Sequence, residues 1–155
     1  MTFTRRSFLQ AAAASATGLL ALPSILKATA AGTPITVYKT PTCGCCKAWV
    51  EHLQKNGFTP TTHDLNDLSE TKDTLGVPDA LRSCHTAVIG RYVVEGHVPA
   101  DLIRKVVAEK PANVLGLAVP GMPVGSPGME VSGQKSPYDV IAFTRDGKRT
   151  IYAKR

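Results

Sequence analysis

The chain has 155 residues, of which 43% are hydrophobic and 19% are charged, and its formal net charge is +6. These proportions are typical of one globular domain and exclude a disordered tail or a protein made of membrane spans. Arg5, Arg6 and Lys27 carry three of these charges, and no Lys/Arg block or basic-aromatic alternation follows them. The composition therefore argues against a nucleic acid partner.

The first thirty residues have the pattern of an export signal. Residues 4–10, TRRSFLQ, precede a run rich in alanine and leucine over 11–22, and residues 28–30, ATA, follow it. This order is typical of a twin-arginine signal peptide that is cleaved after Ala30. The alternative is a transmembrane anchor, but residues 11–26 fall short of the ~20 apolar residues that a span requires. We therefore expect residues 1–30 to direct export to the periplasm, with no stable membrane anchor after cleavage.

Three cysteines follow the first predicted strand. Residues 34–39, PITVYK, predict a strand, and residues 47–56, KAWVEHLQKN, have apolar side chains at helical spacing. Cys43, Cys45 and Cys46 thus fall in the strand-to-helix turn and the first helical turn, where unpaired N–H groups favour a thiolate. Their spacing argues against a structural role, because a Cys43–Cys46 bridge would constrain little of the unfolded chain.

The middle of the chain predicts the rest of a small α/β domain. Residues 58–65 predict a strand polar enough for a sheet edge, and residues 69–75 predict a short helix. Residues 86–89 and 92–96 predict a β-hairpin, and residues 99–109 predict a helix with proline at its start. The order β-α-β-α-β-β-α is that of a thioredoxin-like domain.

The composition changes after Pro111. Residues 114–131 are rich in glycine and proline and predict an ordered loop rather than a helix or a central strand. Residues 138–143 and 149–152 predict a final hairpin around a turn at Asp146-Gly147. We expect residues 112–155 to form a loop and hairpin extension of the one domain, which spans residues 31–155.

The fourth cysteine is predicted to meet the first three. In a thioredoxin-like order, the loop before the third strand faces the helical cysteines, and here that loop reads SCHT and contains Cys84 and His85. Four thiolates and an imidazole in one pocket are the composition of a metal site. The adjacent Cys45 and Cys46 fit awkwardly on one tetrahedral zinc ion, whereas neighbouring thiolates readily bridge soft Cu(I) ions.

Methionine and histidine supply further candidate ligands. Met122 and Met129 lie in residues 121–130, GMPVGSPGME, and thioether sulfur is a soft ligand that favours copper; the alternative is that they cover the core. His97 is expected to line the pocket behind the ligands, or to be a hydrogen-bonded histidine at a helix start. His52 and His63 are expected at the surface.

These segments resemble the CopG-like periplasmic copper-binding proteins, a family of small exported thioredoxin-like domains. The resemblance rests on residues 42–49, 83–86, 95–100 and 116–130, which together cover most of the chain after the signal. It implies a copper–thiolate cluster held by Cys43, Cys45, Cys46 and Cys84, and a role in copper homeostasis or resistance.

Two functions stay open at this point. The first is an exported protein that holds copper in a multinuclear Cu(I)-thiolate cluster, with copper ions and other periplasmic copper-handling proteins as partners and Cu(I)/Cu(II) cycling as an extension. Its candidate ligands are Cys43, Cys45, Cys46, Cys84, His85, Met122 and Met129, with His97 behind them. The second is a periplasmic thiol–disulfide oxidoreductase, with Cys43 as nucleophile and Cys46 as resolving thiol.

Overall fold

The computed structural model describes residues 32–155, so the predicted signal peptide of residues 1–30 lies outside the described residues. The strands are β1 (Thr33–Lys39), β2 (Phe58–Asp64), β3 (His85–Ile89), β4 (Tyr92–Gly96), β5 (Gly116–Val119), β6 (Asp139–Phe143) and β7 (Arg149–Lys154). The helices are α1 (Gly44–Lys55), α2 (Ser69–Thr74) and α3 (Ala100–Glu109), and a single 3₁₀ turn spans Asp79–Leu81. Within the described residues, no helix is long and apolar enough to cross a bilayer.

The strands form one seven-stranded sheet in the order β2-β1-β3-β4-β5-β6-β7. The pairs β1–β2 and β4–β5 are parallel, and the other neighbours are antiparallel. The polar strand β2 lies at one edge, as its composition predicts. The predicted thioredoxin-like α/β order is confirmed, and the final hairpin extends the same sheet.

Helices cover both faces of this sheet. On one face, Trp49 and Leu53 of α1 and Ile103 of α3 pack in a cluster with Ala87 and Val94. On the other face, below α2, a smaller cluster contains Val77, Leu81, Val93, Leu115, Ala118 and Phe143. Because successive side chains of a strand point to opposite faces of the sheet, Val93 and Val94 pack into the two different clusters. This alternation places His85 on the α1 face and Thr86 on the α2 face.

Strand β5 corrects the sequence-based expectation. The pattern over 114–131 predicts a loop without a central strand, and this is wrong for Gly116–Val119, which pairs with both β4 and β6. All four residues are buried, which shows that both faces of this strand are covered. A strand buried on both faces is a short continuous apolar run rather than an alternating pattern. Gly116 is required there, because a β-carbon would meet the Val93 carbonyl oxygen and lie 2.6 Å from Phe143 Cζ. Residues 120–131 do form a loop, as predicted.

Candidate metal centre

The first cysteine caps helix α1. Cys43 has extended backbone angles, and its Sγ accepts a hydrogen bond from the Cys46 main-chain N–H at 3.3 Å. Serine, threonine, aspartate or asparagine commonly fills this position, so sulfur here replaces the usual oxygen. The cap holds the Cys43 sulfur at the positive end of the helix, over the first turn that carries Cys45 and Cys46.

All four cysteines meet in one place. The sulfur atoms of Cys43, Cys45, Cys46 and Cys84 lie within 4.8 Å of one another. Cys45 Sγ is 3.4 Å from Cys43 Sγ and 3.9 Å from Cys84 Sγ. Helix α1 supplies two of these sulfurs and its N-cap residue a third, and the segment that precedes β3 supplies the fourth.

Two of the cysteines are joined. Cys43 and Cys46 form a disulfide, and Cys45 and Cys84 are free thiols. The sequence pattern argues against a structural role for this bridge but leaves a Cys43–Cys46 redox pair open, and residues three apart at a helix start bring their α-carbons to 5.3 Å, which suits a disulfide. Because the bridge closes only a short loop, it constrains the unfolded chain little. It therefore adds little as a structural staple, and it lies beside two free thiols.

Cys84 is the thiol most affected by its surroundings. Its Sγ is 3.2 Å from His85 Nδ1 and 3.1 Å from His97 Nε2. Burial, together with the neighbouring Cys45, raises the pKa of the Cys84 thiol to about 12. In the metal-free protein this group is a thiol at neutral pH, so a metal ion that binds here displaces its proton.

His97 presents a lone pair to Cys84. Its Nδ1 is 2.8 Å from the carbonyl oxygen of Pro127, which can only accept, so Nδ1 carries the proton. Burial lowers the pKa of His97 below its ordinary value, which keeps the ring neutral and leaves Nε2 unprotonated. A backbone carbonyl on one ring nitrogen, with the other nitrogen free, is the usual arrangement of a metal-binding histidine. His97 thus lines the cysteine site, and whether it binds the metal or lies behind the ligands stays a prediction.

His85 is more deeply buried than His97. Its ring centroid lies 4.3 Å from that of Trp49 and 4.9 Å from that of His97. Burial, with smaller contributions from His97 and Lys72, holds the pKa of His85 well below its usual value, so this ring is also neutral. Its Nε2 has no hydrogen-bond partner among the described residues. Cys84, His85 and His97 form a second group of metal-ligand type that shares Cys84 with the four sulfurs.

The loop after β5 lies against the cysteine helix. A β-carbon at Gly128 would lie 2.9 Å from the Cys45 carbonyl oxygen and 2.8 Å from Trp49 N, so the two backbones touch there. Met129 is the next residue and is half-buried, whereas Met122 is 42% exposed and has a left-handed backbone with φ of 49°. The loop is thus adjacent to the cysteines, and ligation by either thioether stays a prediction.

The structure also corrects one histidine and adds residues that the sequence pattern did not single out. His52 is half-buried rather than a surface residue, because its Nε2 accepts a hydrogen bond from the Ala100 N–H at 3.2 Å. His63 is exposed, as expected.

Lys72 and Glu95 form a buried ion pair next to the Cys84 segment. The feature of the sequence that could have revealed this ion pair is the carboxylate of Glu95 inside the otherwise apolar strand YVVEG.

Strand β1 leads into a cysteine-capped helix, and the segment before the neighbouring strand β3 brings a further cysteine against that helix. This arrangement defines a thioredoxin-like protein with a thiol-rich centre. A family model described as Glutaredoxin matches residues 35–77, and one described as "Protein of unknown function, DUF411" matches residues 81–129. No curated protein sequence matches the chain significantly.

Two solved structures identify the family. One is described as "Copper resistance protein copG- Form 2"; it is 48% identical, with a TM-score of 0.75 over 79% of this chain and 97% of that one. The other, "Copper resistance protein copG- Form 1", is 47% identical, with a TM-score of 0.75 over 80% of this chain and 98% of that one. The chain belongs to the CopG family.

Proposed function

We propose that this protein binds Cu(I) in a multinuclear thiolate cluster and acts in copper homeostasis or resistance. The observation that carries the proposal is the meeting of four cysteine sulfurs within 4.8 Å of one another. Thiolate sulfur is the ligand that Cu(I) prefers. The relatives described as copper resistance proteins support copper over other soft metals.

The donor set fits several ions better than one. Cys45 and Cys46 are adjacent in α1, and adjacent residues point about 100° apart on a helix, so their sulfurs suit bridging of neighbouring ions. His97 Nε2 and His85 Nδ1 both face Cys84 and can complete the coordination of a copper ion that this sulfur binds. We include Met129 and Met122 as further thioether ligands from the adjacent loop.

Redox chemistry accompanies this binding. The Cys43–Cys46 disulfide must first accept two electrons and two protons from an external dithiol, which is itself oxidised to a disulfide, and this exchange gives the two thiols that the cluster needs. In the reverse direction, two thiolates that form the disulfide release two electrons, which reduce two Cu(II) ions to Cu(I). The protein can therefore couple its thiol state to the copper oxidation state, which is the cycling that we propose.

Anaerobic copper titration tests the binding. The reduced chain is titrated with Cu(I), and the copper bound per chain is counted by native mass spectrometry. We expect several ions to bind cooperatively, and we expect Cys84→Ser and His97→Ala to reduce the stoichiometry. His63→Ala is the matched control, because His63 is exposed on the edge strand β2. Binding of one ion or none by the reduced chain would contradict the proposal.

A second function is favoured by the disulfide itself. Cys43 is partly exposed and Cys46 is fully buried, so a substrate thiolate can reach only Cys43, after which Cys46 leaves as the thiolate. This is the arrangement of a thiol–disulfide oxidoreductase. Cys45→Pro separates the two functions: cluster binding predicts loss of multi-copper binding, whereas an oxidoreductase keeps turnover of a model disulfide. Preserved copper stoichiometry in this variant would contradict the cluster.

Export to the periplasm by the twin-arginine route is part of the same proposal, and the pattern of residues 1–30 supports it. Replacement of the pair by Arg5→Lys and Arg6→Lys conserves charge but removes the motif. We expect the wild-type chain to appear in the periplasmic fraction with alanine 31 as its first residue. We expect the double variant to stay in the cytoplasm, and its normal export would contradict the twin-arginine route.

A further inference from the structure

A buried ion pair lies on the α2 side of the sheet, beneath the Cys84 segment. Lys72 Nζ of α2 is 2.6 Å from Glu95 Oε1 of β4, and the two side chains are 7% and 0% exposed. Thr86 Oγ1 donates to Glu95 Oε2 at 2.6 Å and accepts from Lys72 Nζ at 2.8 Å. The three side chains thus form a closed set of hydrogen bonds with one another.

Glu95 also fixes the main chain next to Cys84. Its Oε1 accepts the Ser83 N–H at 2.5 Å. The Ser83 side chain rests on the strand that carries Glu95, because a β-carbon at Gly96 would lie 2.8 Å from Ser83 Cβ. Ser83 is therefore held through its main chain and through its side chain, one residue before the cysteine.

The residue after Cys84 is fixed from the opposite face. His85 is fully buried against Trp49 of α1, and Thr86 is the direct cross-strand partner of Glu95. Cys84 thus stands between one neighbour that Glu95 holds and another that the α1 core holds. In this arrangement its sulfur lies 3.9 Å from Cys45 Sγ and 3.1 Å from His97 Nε2.

The ion pair is not explained by stability. Removal of two charges from water is unfavourable, and a buried pair often stabilises a fold no more than apolar residues of similar size would. Burial raises the pKa of the Glu95 carboxyl, and the contacts with Lys72 offset this only in part. A carboxylate offers what an apolar side chain cannot, which is an acceptor for Ser83 N–H and Thr86 O–H at once.

We propose that Glu95, held by Lys72, is a positioning residue for the Cys84 sulfur, and that it sets the geometry of the metal centre from the opposite side of the sheet. The part of this proposal that concerns copper affinity rests on the function proposed above. Metal sites commonly lose 10–100-fold in affinity when groups that orient their ligands are removed.

Two double variants isolate the acceptor from the charge. Lys72→Met/Glu95→Gln removes both buried charges but keeps a side-chain oxygen that can accept the Ser83 N–H. Lys72→Met/Glu95→Leu removes both charges and the acceptor. Neither leaves an uncompensated buried charge, so a difference between the two reports the loss of the side-chain acceptor that serves Ser83 N–H and Thr86 O–H. Thermal unfolding of each metal-free chain checks that it is folded.

Two readouts follow. The first is Cu(I) affinity of the reduced chain, measured by competition with a chromophoric Cu(I) chelator. The second needs no copper: it is the ratio of Cys84 to Cys45 alkylation by N-ethylmaleimide in the metal-free chain with the disulfide intact. Cys45 belongs to α1 rather than to the Ser83–Cys84 segment, so it serves as the reference thiol, although its sulfur lies 3.9 Å from that of Cys84.

We expect Lys72→Met/Glu95→Leu to lose about 10–100-fold in Cu(I) affinity and to raise the alkylation ratio at least fivefold. We expect Lys72→Met/Glu95→Gln to stay within about threefold of wild type in both readouts. Equal behaviour of the two double variants overturns the proposal. If the leucine variant does not fold, Thr86→Val, which deletes the hydroxyl donor to Glu95, must shift the ratio in the same direction, and no shift overturns it.

Failure of the proposed function is recognised separately. If the wild-type chain binds no copper cluster, the copper readout disappears, but the alkylation ratio still decides whether Glu95 positions Cys84.

Discussion

Gly128→Ala is the substitution that tests whether the loop after β5 is docked on the cysteine helix. Gly128 has φ of +84°, a left-handed conformation that costs a residue with a β-carbon about 1–2 kcal/mol. The new methyl would also lie 2.8 Å from Trp49 N and 2.9 Å from Cys45 O, both of which belong to the α1 backbone. A backbone cannot rotate away as a side chain can, and overpacking of this kind costs about 1–3 kcal/mol. The expected total is about 2–5 kcal/mol.

Gly133→Ala is the matched control for this substitution. Gly133 has φ of +71°, but a β-carbon there meets nothing within 4 Å, so only the backbone term of about 1–2 kcal/mol applies. Urea unfolding of the reduced, metal-free chains measures both free energies of unfolding. Gly128→Ala should also lower copper stoichiometry, because relief of the clash moves the loop that carries Pro127 and Met129. Equal destabilisation by the two substitutions would refute the docking of this loop.

Three further predictions concern a pH-sensitive contact, the core and the thiols. Burial lowers the pKa of His52 from its ordinary 6.5, so its contribution to stability is full above pH 6.5 and declines as the pH falls below that value. His52→Gln should make this decline less steep in urea unfolding between about pH 7.5 and 5.5. An unchanged dependence of the unfolding free energy on pH would contradict the prediction. Trp49→Phe removes the Nε1–H bond to the buried Val98 carbonyl at 3.0 Å and should cost about 2–3 kcal/mol in the same assay, with a loss below about 1 kcal/mol as the contrary result. The denatured, unreduced apo chain should carry two alkylatable thiols, Cys45 and Cys84, and modification of any other cysteine would contradict the pairing.

Local patterns explain most of the fold. The strands and helices up to residue 109 follow from β-branched runs, helical spacing and glycine or proline stops, which act within a few residues. Strand β5 is different, because Leu117 and Ala118 become a strand by pairing with β4, more than twenty residues earlier. The glycines and prolines around this run indicate a loop when only neighbours in sequence are considered. Close approach to Val93 is what makes Gly116 suitable for a strand.

The metal centre likewise depends partly on local sequence patterns and partly on contacts between distant parts of the chain. The topology predicts that the Cys84 segment faces α1, because the third strand lies beside the first. The protonation state of His97 depends on the Pro127 carbonyl, thirty positions away in the chain, and no spacing rule supplies that contact. The Lys72–Glu95 pair likewise joins a helix to a strand across 23 positions of the chain. Metal ligation by the cysteines, His85 and the methionines stays a prediction that copper binding must test.

The central claim is that the four cysteine sulfurs hold more than one Cu(I) ion in a shared cluster. X-ray absorption at the copper edge of the reduced, copper-loaded chain tests it most directly, because it reports oxidation state, ligand type and neighbouring copper ions together. The account predicts a Cu(I) edge, sulfur-dominated coordination and a copper–copper scattering path that Cys84→Ser weakens. A spectrum of isolated copper with only nitrogen or oxygen ligands, unchanged in Cys84→Ser, would contradict it.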